Sequence, residues 1–87
     1  MTLKSNLINI VLVDTIHPGN IGSVARAMKT MGLSRLSLVN PRVFPSGEAN
    51  ALAGNATDVL EDAHIFSSIK DAIKDSTFVY ATSSRDR

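Results

Sequence analysis

Leu7-Ile8-Asn9-Ile10-Val11-Leu12-Val13 is apolar but for one asparagine, rich in β-branched side chains, and runs unbroken into Asp14-Thr15-Ile16-His17-Pro18-Gly19-Asn20. Such a run suits a strand covered on both faces, as in a parallel sheet, because a half-exposed strand would alternate with polar residues. It should therefore be a central strand. From Asn20 to Met31 the apolar residues Ile21, Val24, Ala25, Met28 and Met31 recur at the spacing of one helical face, and Gly32 stands where a left-handed cap is wanted. At the junction, Gly19 and Gly22 remove side-chain bulk, either for a ligand close to the backbone or for a tight turn and close helix packing. The first amides of the helix point outward, unpaired and partly positive. This junction can hold an anion and present an arginine, Arg26, so the chemistry is expected here.

The 87 residues allow at most one small domain with a thin margin of stability. A hydrophobic content of 44% with 20% charged residues argues against disorder. The absence of cysteine excludes a disulfide framework, a thiolate metal site and a cysteine nucleophile, and the cytoplasm is the expected compartment. Leu7 to Val13 is too short to span a bilayer, and Met1 to Asn6 lacks the features of a signal peptide. A formal net charge of +1 gives no dominant nucleic-acid footprint, so any such partner must be met by local placement of cations.

Arg35 to Val39 reads as a second strand stopped by Asn40-Pro41, since proline lacks the amide and biases its predecessor away from helix. Strand, helix and strand form one unit with an expected right-handed crossover. Pro45-Ser46-Gly47 reads as a turn, Glu48 to Ala53 as a short helix ended by Gly54-Asn55, and Thr57 as the cap of a further turn or two through Asp62. Ser68-Ile69-Lys70-Asp71 has the form of a capping box, with Ile69, Ala72 and Ile73 as one apolar edge. Thr77 to Thr82 is then the third strand. A three-stranded parallel sheet with flanking helices is a small unit whose edge should be paired or covered, so the chain is expected to be the first part of a larger domain.

Asn20-Ile21-Gly22-Ser23-Val24-Ala25-Arg26 after the first strand, Leu38-Val39-Asn40-Pro41 after the second, and Tyr80-Ala81-Thr82-Ser83-Ser84-Arg85 after the third resemble the opening half of the SpoU-type RNA 2′-O-ribose methyltransferases. The likeness covers essentially the whole chain, and three stretches in order are more specific than any one. It implies the N-terminal half of an α/β-knot (SPOUT) domain over residues 1–87, with the knot region absent. It further implies S-adenosyl-L-methionine as methyl donor, a homodimer, no membrane, no metal, and tRNA as substrate, with rRNA as another candidate. The expected target is a ribose of the anticodon loop, cytidine or uridine 32. Of the donor site, Thr82, Ser83 and Ser84 match positions the family uses. The two later motifs are missing, so this chain alone is expected to be inactive.

Methyl transfer builds negative charge on the ribose oxygen, and a fixed cation beside it lowers the barrier. A guanidinium stays protonated at physiological pH, so Arg26 is expected to hold a neighbouring phosphate and the hydroxyl together while phosphate or water takes the proton. It lies two residues beyond Val24, about 200° round the helix and away from the apolar face. Asn20 can cap the helix and also orient the ribose or Arg26. Gly22 and Ser23 share the motif and are candidates for substrate contact. His17 invites a general-base reading, although a histidine beside proline also serves as a plain hydrogen-bonding group. Lys29, Arg35 and Arg42 could touch phosphates or be ordinary surface cations, and Met28 and Met31 are expected in the core.

Two other classes of function compete. An ordinary dinucleotide-binding module is disfavoured because G-x-x-G at 19–22 is not G-x-G-x-x-G, and Asn40 replaces the acid expected after the second strand. A non-catalytic piece that pairs with another chain or binds RNA is compatible with every residue named.

Overall fold

The computed structural model describes residues 8–15, 17–76 and 78–83. Four strands, β1 (Ile8–Val13), β2 (Arg35–Val39), β3 (His64–Phe66) and β4 (Phe78–Ser83), pair in parallel in the order β3-β2-β1-β4. The central place expected for the first strand is confirmed: Ile10, Val11 and Leu12 are buried although they point to alternate faces. The sheet has one strand more than the sequence suggests. β3 is only three residues long, too short for a period to register, and it exists because Ser37, Leu38 and Val39 offer it a ladder. Leu7 and Thr77, counted in the expected strands, lie outside the described residues.

Helix α1 (Pro18–Thr30) starts two residues before the expected Asn20, with Pro18 in its first turn and His17 as its extended N-cap. Proline fits there because its missing amide would have no helical partner. The C-terminus closes in a Schellman motif: the amide of Leu33 donates to the Met28 carbonyl at 2.8 Å and that of Gly32 to Lys29 at 3.1 Å. Gly32 has φ +77, as its expected left-handed role requires. Met28 is buried as foreseen, whereas Met31 is 65% exposed and lines a groove with Ile8, Leu33 and Tyr80.

Helix α2 (Gly47–Ala53) is capped by Ser46, whose Oγ accepts from the Ala49 amide at 3.1 Å, and ends at Gly54 with φ +59. A 3-10 turn (Gly54–Ala56) leads into α3 (Thr57–Glu61), where Thr57 is the first helical residue and not the expected cap. In α4 (Ile69–Ile73) Ser68 accepts from the Asp71 amide as the box predicts, and Ala72 is buried, but Ile69 is exposed.

These helices divide between the two faces. Ile10, Leu12, Leu36 and Leu38 pack on one face against α1, α2 and α3, through Ile21, Ala25, Met28, Ala49 and Leu60 among others. On the opposite face Val11 and Val39 meet only Ala72, with Val13, Phe66 and Ile73 around them. Helices α1 and α2 approach closely because Gly22 has no side chain: a Cβ there would overlap the Ala49 carbonyl and sit 2.9 Å from its carbon.

Candidate functional site

The strand order reverses at β1. The chain moves from β1 to β2 to β3 with α1, α2 and α3 on one face, then returns beneath the sheet through α4 and places β4 on the free side of β1. In open α/β sheets such a reversal leaves a crevice at the carboxyl ends of the two diverging strands, where ligands bind. Here those ends are Leu12 and Val13, in register with Thr82 and Ser83. The two segments singled out in the sequence, far apart along the chain, are therefore neighbours at this crevice. Ser84 lies outside the described residues, and so do residues 85–87.

Backbone conformation marks the same edge. Asp14 (φ 54) and Asn40 (φ 51) are left-handed, a state that short polar side chains tolerate better than most. Each ends a strand while its amide continues a ladder: Asp14 donates to the Val39 carbonyl at 2.9 Å, Asn40 to that of Phe66 at 3.0 Å. The Arg42 amide donates to the Thr15 carbonyl at 3.1 Å, tying the loop after β2 to the turn between β1 and α1. Thr15 is 2% exposed, and its hydroxyl has no hydrogen-bond partner among the described residues.

Along α1 the sequence separates into two surfaces. Gly19, Ile21, Gly22, Ala25 and Met28 are buried, while Asn20, Ser23 and Arg26 are exposed. The last three, spaced by three residues, form a stripe that drifts about 60° per step across the outer surface of the helix. Asn20 and Arg26 are consequently about 9 Å apart along the axis and 120° apart around it. Ser23 lies between them, and direct orientation of Arg26 by the Asn20 amide does not fit this spacing. Nor is Asn20 the cap, since the helix begins at Pro18; its amide donates to the His17 carbonyl at 3.0 Å. The bulk missing at Gly22 is taken up by α2.

Residues 7–87 match the SpoU rRNA Methylase family. The chain belongs to that family. It is 52% identical over 80 residues to the tRNA (cytidine/uridine/adenosine-2′-O-)-methyltransferase TrmJ of Pseudomonas aeruginosa (strain UCBPP-PA14), which covers 92% of this chain and 31% of the relative. To the tRNA (cytidine/uridine-2′-O-)-methyltransferase TrmJ of Escherichia coli (strain K12) it is 55% identical over 80 residues, covering 92% and 32%. The crystal structure of TrmJ from Z. mobilis ZM4 superposes with a TM-score of 0.79 at 41% identity, over 91% of this chain and 36% of that one. The chain thus spans about a third of the length of the curated relatives it matches.

Within this SpoU chain the cations are not equivalent. Lys29 is engaged with Asp58 on α3 at 3.0 Å, and that hydrogen bond, with the lysine charge, holds the Asp58 carboxyl below its ordinary range. Arg35 opens β2, at the opposite edge of the sheet from the crevice. Arg42 sits at the carboxyl edge, its backbone amide donating a hydrogen bond to the Thr15 carbonyl, a proximity that no spacing in the sequence reveals. The Arg26 guanidinium makes no ion pair or side-chain hydrogen bond among the described residues, so it is available to a ligand. His17 is exposed at the start of α1. Among the described residues no cluster of three metal-ligating side chains occurs, and no helix is long and apolar enough to cross a membrane.

Proposed function

We propose that this chain supplies the acceptor-binding stripe and part of the donor corner of a tRNA 2′-O-ribose methyltransferase, as the N-terminal part of a single SpoU-type domain. The observation that carries this reading is an exposed Arg26, without a side-chain partner among the described residues, on the same drifting stripe as Asn20 and Ser23 on the helix leaving the central strand, in a chain of that family. TrmJ relatives favour tRNA over rRNA; both relatives are named for cytidine and uridine and one for adenosine as well, and cytidine or uridine at position 32 of the anticodon loop is the target we propose.

When bound, S-adenosyl-L-methionine supplies an electrophilic methyl group on a sulfonium. The residues present fit it in one respect: the backbone of Thr82 and Ser83 reaches the reversal crevice beside Val13, where backbone amides and carbonyls can bind an adenosine or amino-acid group. Thr82 and Ser83 are assigned to donor binding on that basis, and Ser84 on the family resemblance alone. Arg26 holds a backbone phosphate and lowers the energy of the ribose alkoxide, while the proton leaves to phosphate or water. Asn20 and Ser23 offer hydrogen bonds to the sugar, His17 a contact at the start of the helix, and Gly22 the close packing that fixes the stripe.

Arg26 is eight residues into a helix that runs back toward the strand starts, about 12 Å from its first residue. Its neighbours Val24 and Ala27 line a groove with Ile8, Ile10 and Tyr80, near the lower half of the sheet. One chain therefore separates Arg26 from the Thr82–Ser83 corner by more than an arginine side chain spans. A homodimer that sets α1 of one protomer against the crevice of its partner resolves this, and accords with the dimer the family resemblance implies. In a full-length protein, Arg26→Ala should leave methyl-donor affinity by calorimetry nearly unchanged while tRNA methylation falls by about 10²-fold or more, the loss seen when a transition-state donor is removed. Normal turnover in that variant would remove Arg26 from the mechanism.

A further inference from the structure

We propose that Asn9 is the residue that sets the register of β4 against β1, and so positions Thr82 and Ser83 at the crevice. The need for such a residue arises from β4 itself. Strand register is ordinarily fixed by burial, because a slip of one residue sends every side chain to the other face. Among the described side chains of β4 burial gives no such instruction: Val79 is 42% exposed on one face, Tyr80 is 64% exposed on the other, and Ala81 is exposed as well. For residues 79–81 a shift by one position exchanges one exposed side chain for another.

Asn9 supplies the missing constraint. It is fully buried in β1, on the face that α4 covers. Its amide nitrogen donates to the Ala72 carbonyl at 2.9 Å and to Ser76 Oγ at 2.8 Å, and its Oδ1 accepts from the Ser37 hydroxyl at 2.7 Å. The amide orientation follows from chemistry, since a backbone carbonyl can only accept and so must face the NH₂ group. Ala72 lies near the end of α4, and Ser76 lies two residues before Phe78, where β4 begins. One side chain thus grips both ends of the connection between α4 and β4, and holds it to a strand already locked in register with β2. Because α4 buries only Ala72 fully, apolar packing alone fixes the helix weakly.

The consequence for donor binding rests on the functional reading above, but the register claim does not, and its test contains no enzymology. In the isotopically labelled chain, Asn9→Leu keeps the branched shape and removes all three hydrogen bonds. Amides of residues 79–83 should then exchange roughly tenfold faster relative to those of β2, the factor expected when a buried hydrogen bond of a local unit is lost. The nuclear Overhauser contact between Ile10 and Tyr80 should vanish or move by one residue. Ser76→Ala removes only the arm to the connection and should act in the same direction, more weakly. Ser37→Ala should lower overall stability while leaving the ratio of β4 to β2 exchange unchanged. If Asn9→Leu fails to fold, Ser76→Ala decides. An unchanged ratio with the Ile10–Tyr80 contact in place, in either variant, overturns the proposal.

Discussion

Gly22→Ala gives the sharpest energetic test of how α1 is placed. In an isolated helix alanine is favoured over glycine by about 1 kcal/mol, so the substitution would stabilise the chain if only local propensity mattered. The tertiary contact opposes it. A Cβ at position 22 would overlap the Ala49 carbonyl and lie 2.9 Å and 3.1 Å from the carbonyl carbon and Cα of the same residue. These are backbone atoms of α2, which cannot rotate aside, so the two helices must separate. Overpacking of this kind costs about 1–3 kcal/mol, and rigid backbone neighbours place it at or beyond the upper end. After the propensity gain, a net destabilisation of about 2 kcal/mol or more remains, which for a domain of this size lowers Tm by roughly 8–16 °C or more.

Two further glycines provide the contrast. At Gly19 a Cβ would meet Leu52 Cδ1 at 2.7 Å and Glu48 Oε2 at 3.0 Å, both tips of flexible side chains, so Gly19→Ala should cost less than Gly22→Ala. Gly47 has open space around it and ordinary φ, so Gly47→Ala should be neutral or stabilising by up to about 1 kcal/mol. Thermal and urea melts of the chain read all three. A Gly22→Ala variant as stable as the parent would show that α1 and α2 do not pack as described.

Removal of the Ser46 hydroxyl in Ser46→Ala should cost about 0.5–2 kcal/mol in urea melts, while Ser46→Asp should restore most of it, because either side chain can accept from the Ala49 amide. Asp58 titrates below its ordinary value of 3.8, chiefly through its hydrogen bond from Lys29. Its pairing therefore stabilises the fold above that value and the contribution disappears as pH falls through the lowered one. Both side chains are largely exposed, so the difference in urea midpoint between the parent and Lys29→Met should be small, present at neutral pH, and absent in strong acid or in high salt. Thr82→Val in a full-length protein should weaken methyl-donor binding by calorimetry without weakening tRNA binding, and unchanged donor affinity would count against the assignment of β4 to the donor corner.

Much of the fold was legible because the physics behind it is local. An apolar, β-branched run interrupted only by Asn9 suits a strand covered on both sides, and Ile10, Val11 and Leu12 are buried on both faces of the sheet. The helical spacing from Ile21 to Met28, the proline that stops β2, and the left-handed Gly32 each act within one or two turns of chain. Arg26 was placed outward by counting 100° per residue, and it is exposed.

Tertiary structure decided what depends on partners remote in sequence. β3 is a strand only because β2 offers it a ladder, and Met31 lies exposed along a groove with Ile8 and Tyr80 where the helical period placed it in the core. Whether Gly22 makes room for a ligand or for a helix could not be read from the motif, since the answer is the Ala49 carbonyl, 27 residues further on by the numbering. The crevice that joins Val13 to Ser83, and the bond that brings Arg42 to Thr15, follow from strand order and loop closure. Periodicity reports which face a residue prefers, whereas adjacency is set by how the faces are stacked, and no single stretch of chain carries that information.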